Sequence, residues 1–298
     1  MKKTAVLILC TLSFLCMNVF ASSVKLSKNT VNQGGFFEIT INDVQVADEI
    51  FTATFQKKKY QSARVETVHT RRIIVPVNVL AKTGESEIEI KGKYEIVIPL
   101  KITVAGSDFK ESEKIQIVQP LSSKTLKVYE EEQKILEKIY HQTIENAFFT
   151  TIDKPSFAYP LKWEHEIYKV SSPFGFIRKR KIGVKSKVVE IIPHGGIDLA
   201  IPKGTTVVAV EDGVVRLARK LINSGNTIII DHGYNVFSVY MHLSRIFVHK
   251  EDWVWKENEI AQSGDSGRVT GPHLHFGIKI WDTWVDPKYF VRELGGAQ

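Results

Sequence analysis

His194-Gly195-Gly196-Ile197-Asp198 and, further along the chain, His273-Leu274-His275 place two clusters of imidazole and carboxylate groups in the second half of a 298-residue sequence. These residue types suit a divalent zinc. Three protein ligands drawn from His, Asp or Glu leave a fourth position for a water whose pKa falls near ~7, whereas a closed four-ligand cage is inert. The pair of motifs therefore points to a hydrolase. The two glycines between His194 and Asp198 permit a turn that folds both side chains toward one point. Ile197, Leu199 and Ile201 alternate with other residues, which predicts a strand beginning near Asp198. On an extended strand His273 and His275 face the same side, so one ring can bind metal while its neighbour serves chemistry. Tyr240-Met241-His242-Leu243-Ser244 ends a strand-like run from Val236 and adds a histidine suited to act as acid, base or oxyanion stabiliser.

These stretches resemble the lysostaphin/LytM-type zinc endopeptidases of bacterial cell walls. The likeness runs through Ser172-Pro173-Phe174-Gly175, Gly225-Asn226-Thr227-Ile228-Ile229-Ile230-Asp231-His232-Gly233, Gly271-Pro272-His273-Leu274-His275-Phe276 and Val285-Asp286-Pro287, and so covers most of residues 160–290. The resemblance implies that His194, Asp198 and His275 hold one Zn2+, while His242 and His273 flank the bound water and stabilise the anionic intermediate of amide hydrolysis. Which of the two is the base stays open. Asn226 and Tyr240 stand in family-like contexts, where they would orient a ligand or a catalytic ring from behind the site or along the substrate groove. The chain departs from the pattern at Gly277, where many relatives carry Glu, at Arg178, one residue further from Gly175 than in Phe-Gly-x-Arg, and at Asn258, where a turn glycine is common. Each departure touches the groove and leaves the ligands intact.

The activity so implied is that of a zinc-dependent peptidoglycan endopeptidase cutting peptide cross-links or stem peptides, with D-alanyl–diaminopimelate bonds favoured over glycine bridges. The alternatives are a LytM-fold regulator without catalysis, a latent enzyme whose N-terminal region or interdomain segment plugs the groove, and a stem-peptide carboxypeptidase. His69, His141, His165 and His249 read as ordinary core or surface residues, and His232 as part of a hairpin turn.

Lys2 and Lys3 precede an apolar run from Ala5 to Leu15, and Val19-Phe20-Ala21 gives a signal-peptidase ending. The expectation is an exported protein of the periplasm or cell envelope, cleaved near Ala21; the run is shorter than the ~20 apolar residues of a membrane span. Lipidation at Cys16 of Ser13-Phe14-Leu15-Cys16 is the lesser alternative. Both cysteines, Cys10 and Cys16, lie in this segment, so disulfides are not expected in the processed chain. Net charge is +7, or +5 once Lys2 and Lys3 are removed. Much of the local excess is Arg178-Lys179-Arg180-Lys181 with Lys185 and Lys187, read first as a solvated hairpin and second as a contact for anionic wall polymer or membrane surface. Nucleic acid is not an expected partner of this basic 178–187 segment, which has no interleaved aromatics, and oligomeric state is open.

The expected fold is mainly β. Residues 1–21 form a leader; 22–106 form an immunoglobulin-like β-sandwich built from runs such as Phe37–Ile41, Ile73–Val77, Ile88–Ile90 and Tyr94–Ile98. Residues 107–160 form an interdomain segment with one amphipathic helix over Ser122–Phe149, its stripe being Val128, Ile135, Leu136, Ile139, Tyr140, Ile144 and Ala147. Residues 161–298 form an antiparallel β catalytic domain of LytM type, with strands near Thr206–Val210, Gly213–Leu217, Thr227–Ile230, Val236–Tyr240 and His273–Ile280. Trp281 and Trp284 are expected in the core or groove wall.

Overall fold

The computed structural model describes residues 23–44, 49–64, 69–92, 97–141, 157–162 and 169–291. The leader and the Cys16 lipobox lie outside the described residues, as do residues 94–96 of the Tyr94–Ile98 run and the helix expected over 142–149. Among the described residues the chain is strand-rich, with a single α-helix.

Alternation explains the N-terminal half. One sheet is ordered Val24–Leu26, Phe36–Ile41, Arg71–Pro76, Ala63–Arg64; the other Thr30–Asn32, Val97–Ala105, Gly84–Lys91, Thr52–Phe55, Lys58–Gln61. Phe37, Ile39, Ile41, Ile73 and Val75 from the first meet Ala53, Phe55, Ile88, Ile90 and Ile102 from the second in one core. The first sheet is buried on both faces. Phe36 and Ile74, offset by one residue from that set, point the other way into the core of the C-terminal half, where Phe36 stacks on Phe290 at 5.1 Å. A strand that feeds two cores cannot be a detachable spacer. Close packing fixes the junction further: Gly34, at φ +79°, sits where an added Cβ would lie 2.6 Å from the Phe174 ring.

The segment expected as a helical linker begins instead with a strand, Glu111–Val118, which pairs in parallel with Ile177–Ile182; that strand pairs antiparallel with Glu190–Pro193. The helix Ser123–Tyr140 follows, capped by the Ser122 hydroxyl accepting from the Thr125 N–H. Its contact face is narrower than the apolar stripe predicts. Val128 and Ile135 are exposed, whereas Glu132, Ile139 and Tyr140 are buried. Glu132 is drawn in because its carboxylate accepts from the Ile222 N–H, 3.1 Å from each oxygen. A buried amide needs such an acceptor.

The C-terminal half is built on an antiparallel sheet ordered Lys169–Ser172, Ile197–Ala200, Leu274–Ile280, Val236–Leu243, Gly225–Asp231, Gly213–Leu221, Trp253–Val254, with Thr283–Val285 added beside Leu274–Ile280. Leu199, Ile228, Ile230, Val236, Tyr240, Leu274, Phe276 and Ile278 line its inner face. The outer face carries Ile229, Phe237 and Val239, and there the helix seats Ile139 and Tyr140. This same outer face continues into His275 and Asp198, because Met241 pairs with His275 and His275 with Asp198 in register.

His232 closes the turn after Gly225–Asp231, its Nδ1 2.7 Å from the Asp212 carbonyl and its Nε2 2.8 Å from the Ser238 hydroxyl. Its structural reading holds: the ring is wholly buried. Burial pushes its pKa down to about 4 from an ordinary 6.5. The unfolded chain therefore binds a proton that the folded chain refuses between these values, and stability falls as pH drops through that window. The expected loss from this residue is about 2 kcal/mol between pH 7 and pH 5. Urea unfolding of wild type and His232→Gln at both pH values checks it, since the variant should lose that increment of pH dependence.

Candidate metal centre

A tight ring of donors forms where Ile197–Ala200 meets Leu274–Ile280. His194 Nε2 and Asp198 Oδ1 are 3.0 Å apart, Asp198 Oδ1 and His275 Nδ1 2.8 Å, and His194 Nε2 and His275 Nδ1 3.0 Å. Local sequence makes this possible. Gly196 leaves no room for a side chain, since a Cβ there would lie 2.2 Å from the Phe276 carbonyl oxygen, so the two motifs come into backbone contact. Protonation follows from the partners. His194 Nδ1 is 2.9 Å from the Pro173 carbonyl, which can only accept, so Nδ1 carries a hydrogen and Nε2 is the ring atom turned toward Asp198 and His275. Burial raises the pKa of Asp198, but the bonds from His194 and His275 outweigh it and hold the carboxyl well below the usual carboxylate range. Burial and the neighbouring His194 push His275 down.

Three electron-pair donors thus converge on one point, which calls for a cation. The 2.8–3.0 Å edges of the triangle are close to the ~3.3 Å between neighbouring ligand atoms held ~2.0–2.1 Å from a tetrahedral zinc. The two-nitrogen, one-oxygen set fits Zn2+ with a position left open.

His242 and His273 stand beside this triangle, their rings 4.7 Å apart, with His242 6.2 Å from the ring of His275. Each is held by a carbonyl: His242 Nδ1 donates to Ser266 at 3.0 Å and His273 Nδ1 to Gly271 at 2.9 Å. Both rings therefore leave Nε2 to face the site, and that of His273 lies 3.9 Å from Asp198 Oδ1. Burial pushes the His242 pKa down to about 4, against the opposing effect of its bond to the Ser266 carbonyl. His242 reaches this position through a β-bulge: Asn226 pairs with Leu243 but Ile228 with Tyr240, so Val236–Leu243 carries one extra residue, and His242 absorbs it at φ +65°. Bulges re-aim side chains in this way, and non-glycine residues at positive φ cluster at functional sites.

Asn226 and Tyr240 take other places. Asn226 Nδ2 donates to the Leu243 and Ser244 carbonyls at 3.0 and 3.3 Å, so it clamps the turn beyond His242. Tyr240 corrects the groove reading. It lies on the inner face, fully buried against Phe276, and its hydroxyl accepts from the Val210 N–H at 3.0 Å. Trp284 lies in the groove wall, 6.1 Å from the His275 ring. A Cβ on either Gly195 or Gly277 would come within 2.7 Å of its indole, which is why the chain has glycine at 277.

Sequence reasoning overlooked the support behind the ligands. Arg178 Nη2 lies 3.2 Å from Asp198 Oδ2 and 3.0 Å from the Ser172 hydroxyl, which is 3.2 Å from His194 Nδ1. Arg178 thereby occupies one carboxylate oxygen and turns the other, Oδ1, toward the two imidazoles. Groups that hold ligands in this way govern metal affinity. Arg178→Gln is expected to weaken zinc binding by ~10–100-fold in chelator competition, with folding intact.

A triangle of metal-binding side chains flanked by two further imidazoles on an antiparallel β-sheet has the parts of a metal-dependent hydrolase. Residues 192–287 match the model of peptidase family M23, and the donor set His194, Asp198 and His275 lies within that matched stretch. Among curated relatives, the chain is 45% identical over 90 residues to peptidoglycan DD-endopeptidase ShyA of Vibrio cholerae, covering 30% of this chain and 21% of the relative. It is 38% identical over 119 residues to DD-carboxypeptidase/endopeptidase Mpg of Neisseria meningitidis, covering 40% and 26%. The matched part is thus well under half the length of these relatives. A crystal structure of a Pseudomonas aeruginosa protein described as a peptidase M23 shares the fold over 89% of this chain and 95% of its own, with a TM-score of 0.61 and 24% identity.

Proposed function

We propose that this chain is an exported, zinc-dependent peptidoglycan endopeptidase that cuts peptide cross-links in the bacterial cell envelope, with the D-alanyl–diaminopimelate bond as the preferred target. The observation that carries the reading is the pairing of His242 and His273 beside the donor triangle, each with Nδ1 held by a carbonyl and Nε2 left to face the site. The bound metal would polarise a carbonyl and lower the pKa of a water at its open position. The chain's own residues do the rest. One of the two imidazoles accepts a proton from the attacking water and, once protonated, returns it to the leaving amine. The other stabilises negative charge on the former carbonyl oxygen through its N–H when protonated. Trp284 and the outer face of the sheet line the approach. The amino-terminal apolar run with its preceding lysines supports export.

A latent form of the same enzyme is the second reading, favoured by the helix Ser123–Tyr140 lying on the outer sheet face that carries His275. The hydrogen bonds of His194, His242 and His273 run to Ser172, Ser266 and Gly271, and none of these comes from the helix. Mass spectrometry of defined cross-linked muropeptides incubated with the zinc-loaded chain tests the primary reading. Conversion of dimers to monomers supports it and the product masses name the bond. Zinc binding without cleavage, in wild type and after the helix contact is loosened by Tyr140→Ala, would sink both readings.

A further inference from the structure

A cavity of about 760 Å³ lies away from the donor triangle, between the two halves of the chain. Its floor is the polar face of the second N-terminal sheet. Thr52 pairs with Gln61 and Lys91, and Thr54 with Lys59 and Glu89, so these six side chains share that face, Glu89 outside the cavity lining. Lys59 and Lys91 are exposed and have no ion-pair partner among the described residues. The wall opposite belongs to the catalytic half: Trp281 projects from the tip of the hairpin after Leu274–Ile280, with its ring 6.2 Å from Tyr60 and 6.4 Å from His141. Trp281 holds a left-handed φ of +55°, a backbone conformation that a bulky residue adopts only where its surroundings impose it. At the lip Lys58 bonds Asp282 at 3.1 Å, tying the halves together and neutralising the cavity's acid. Two free ammonium groups, hydroxyl and amide hydrogen-bonding groups, and an indole together make a site for a polar chain that bears carboxylates.

We propose that this cavity is a second binding site for the carboxylate-bearing stem peptides of the wall polymer, an inference that rests on the peptidoglycan reading above. Lys59 and Lys91 take the carboxylates, Thr52, Thr54 and Gln61 bond the peptide amides, and Trp281 covers the apolar face of the ligand. From His275 to Trp281 is six residues along one strand and its turn, about 20 Å at ~3.3 Å per residue. A stem peptide of four or five residues spans ~13–18 Å. The unit held in the cavity is therefore different from the one at the metal, so the site anchors a neighbouring stem of a multivalent polymer and raises its local concentration at the histidines.

The test uses the full chain carrying His273→Ala, so that no substrate is consumed, titrated with a soluble disaccharide-tetrapeptide and followed by tryptophan fluorescence and calorimetry. Lys59→Gln with Lys91→Gln is expected to weaken a binding event at least tenfold. Trp281→Phe should remove its fluorescence change, and the same muropeptide with its carboxyls amidated should fail to bind there. Both lysines are exposed, so thermal unfolding is expected to stay within a few degrees of the parent. Unchanged binding in the double variant, or equal binding of the amidated ligand, overturns the proposal. Cleavage of a cross-linked dimer by the same lysine variants with His273 restored is read separately, so failure of the endopeptidase reading is distinguishable from failure of the cavity.

Discussion

Replacing His273 with alanine is expected to lower hydrolysis of a cross-linked muropeptide by at least ~10²–10⁴-fold while one zinc per chain stays bound. The ring makes no edge of the donor triangle: its Nδ1 is committed to the Gly271 carbonyl and its Nε2 faces the site. Removing it takes away a proton carrier without removing a ligand. His242→Ala should behave alike, and the double variant should lose less than the product of the two, because a proton carrier and an oxyanion donor serving the same transition state act as a unit and are not additive. Titrating zinc into each variant against a chromophoric chelator, alongside the cleavage assay, separates chemistry from metal loss. If His273→Ala empties the site, its role is that of a ligand.

The second large effect is at Asp198. Asn keeps its shape but removes the negative charge that His194, His275 and Arg178 surround. Loss of a direct ligand should exceed the ~10–100-fold cost of losing a supporting group, leaving the protein metal-free at micromolar zinc and inactive. Stability gives a readout independent of catalysis. Ligand bound only to the folded state adds RT ln(1 + [L]/Kd), about 4 kcal/mol at 1,000 times Kd. Zinc should therefore raise the melting temperature of wild type and His273→Ala, but not that of Asp198→Asn at the same concentration.

Much of this was legible in the residues. The period-2 runs around Ile197, Val236 and Leu274 placed the strands, and the i, i+2 spacing of His273 and His275 predicted both rings on one face; they lie 3.9 and 2.8 Å from the same Asp198 oxygen. Tyr240 was misplaced by reasoning from its motif neighbours. Its parity with Val236 and Ser238 sends it to the inner face, where Val210 needs an acceptor. His242, two residues further on, escapes that face through a bulge that leaves no mark in a single sequence. The strand Glu111–Val118 was hidden because ESEKIQIV is mostly exposed and has little apolar alternation; its pairing with Ile177–Ile182 is a long-range contact. Glu132 was invisible for a related reason. An acid in a helix reads as solvated, and only the unpaired Ile222 amide makes its burial favourable. The reach of Arg178 to Asp198 was obscured by its irregular spacing from Gly175.

Anomalous X-ray scattering at the zinc edge from crystals grown with zinc tests the central claim most directly. The account predicts one peak, bonded at ~2.0–2.2 Å to His194 Nε2, Asp198 Oδ1 and His275 Nδ1, with His242 and His273 unbonded beside it. A peak ligated by His242 or His273, or no peak at the triangle in fully zinc-loaded crystals, would contradict it.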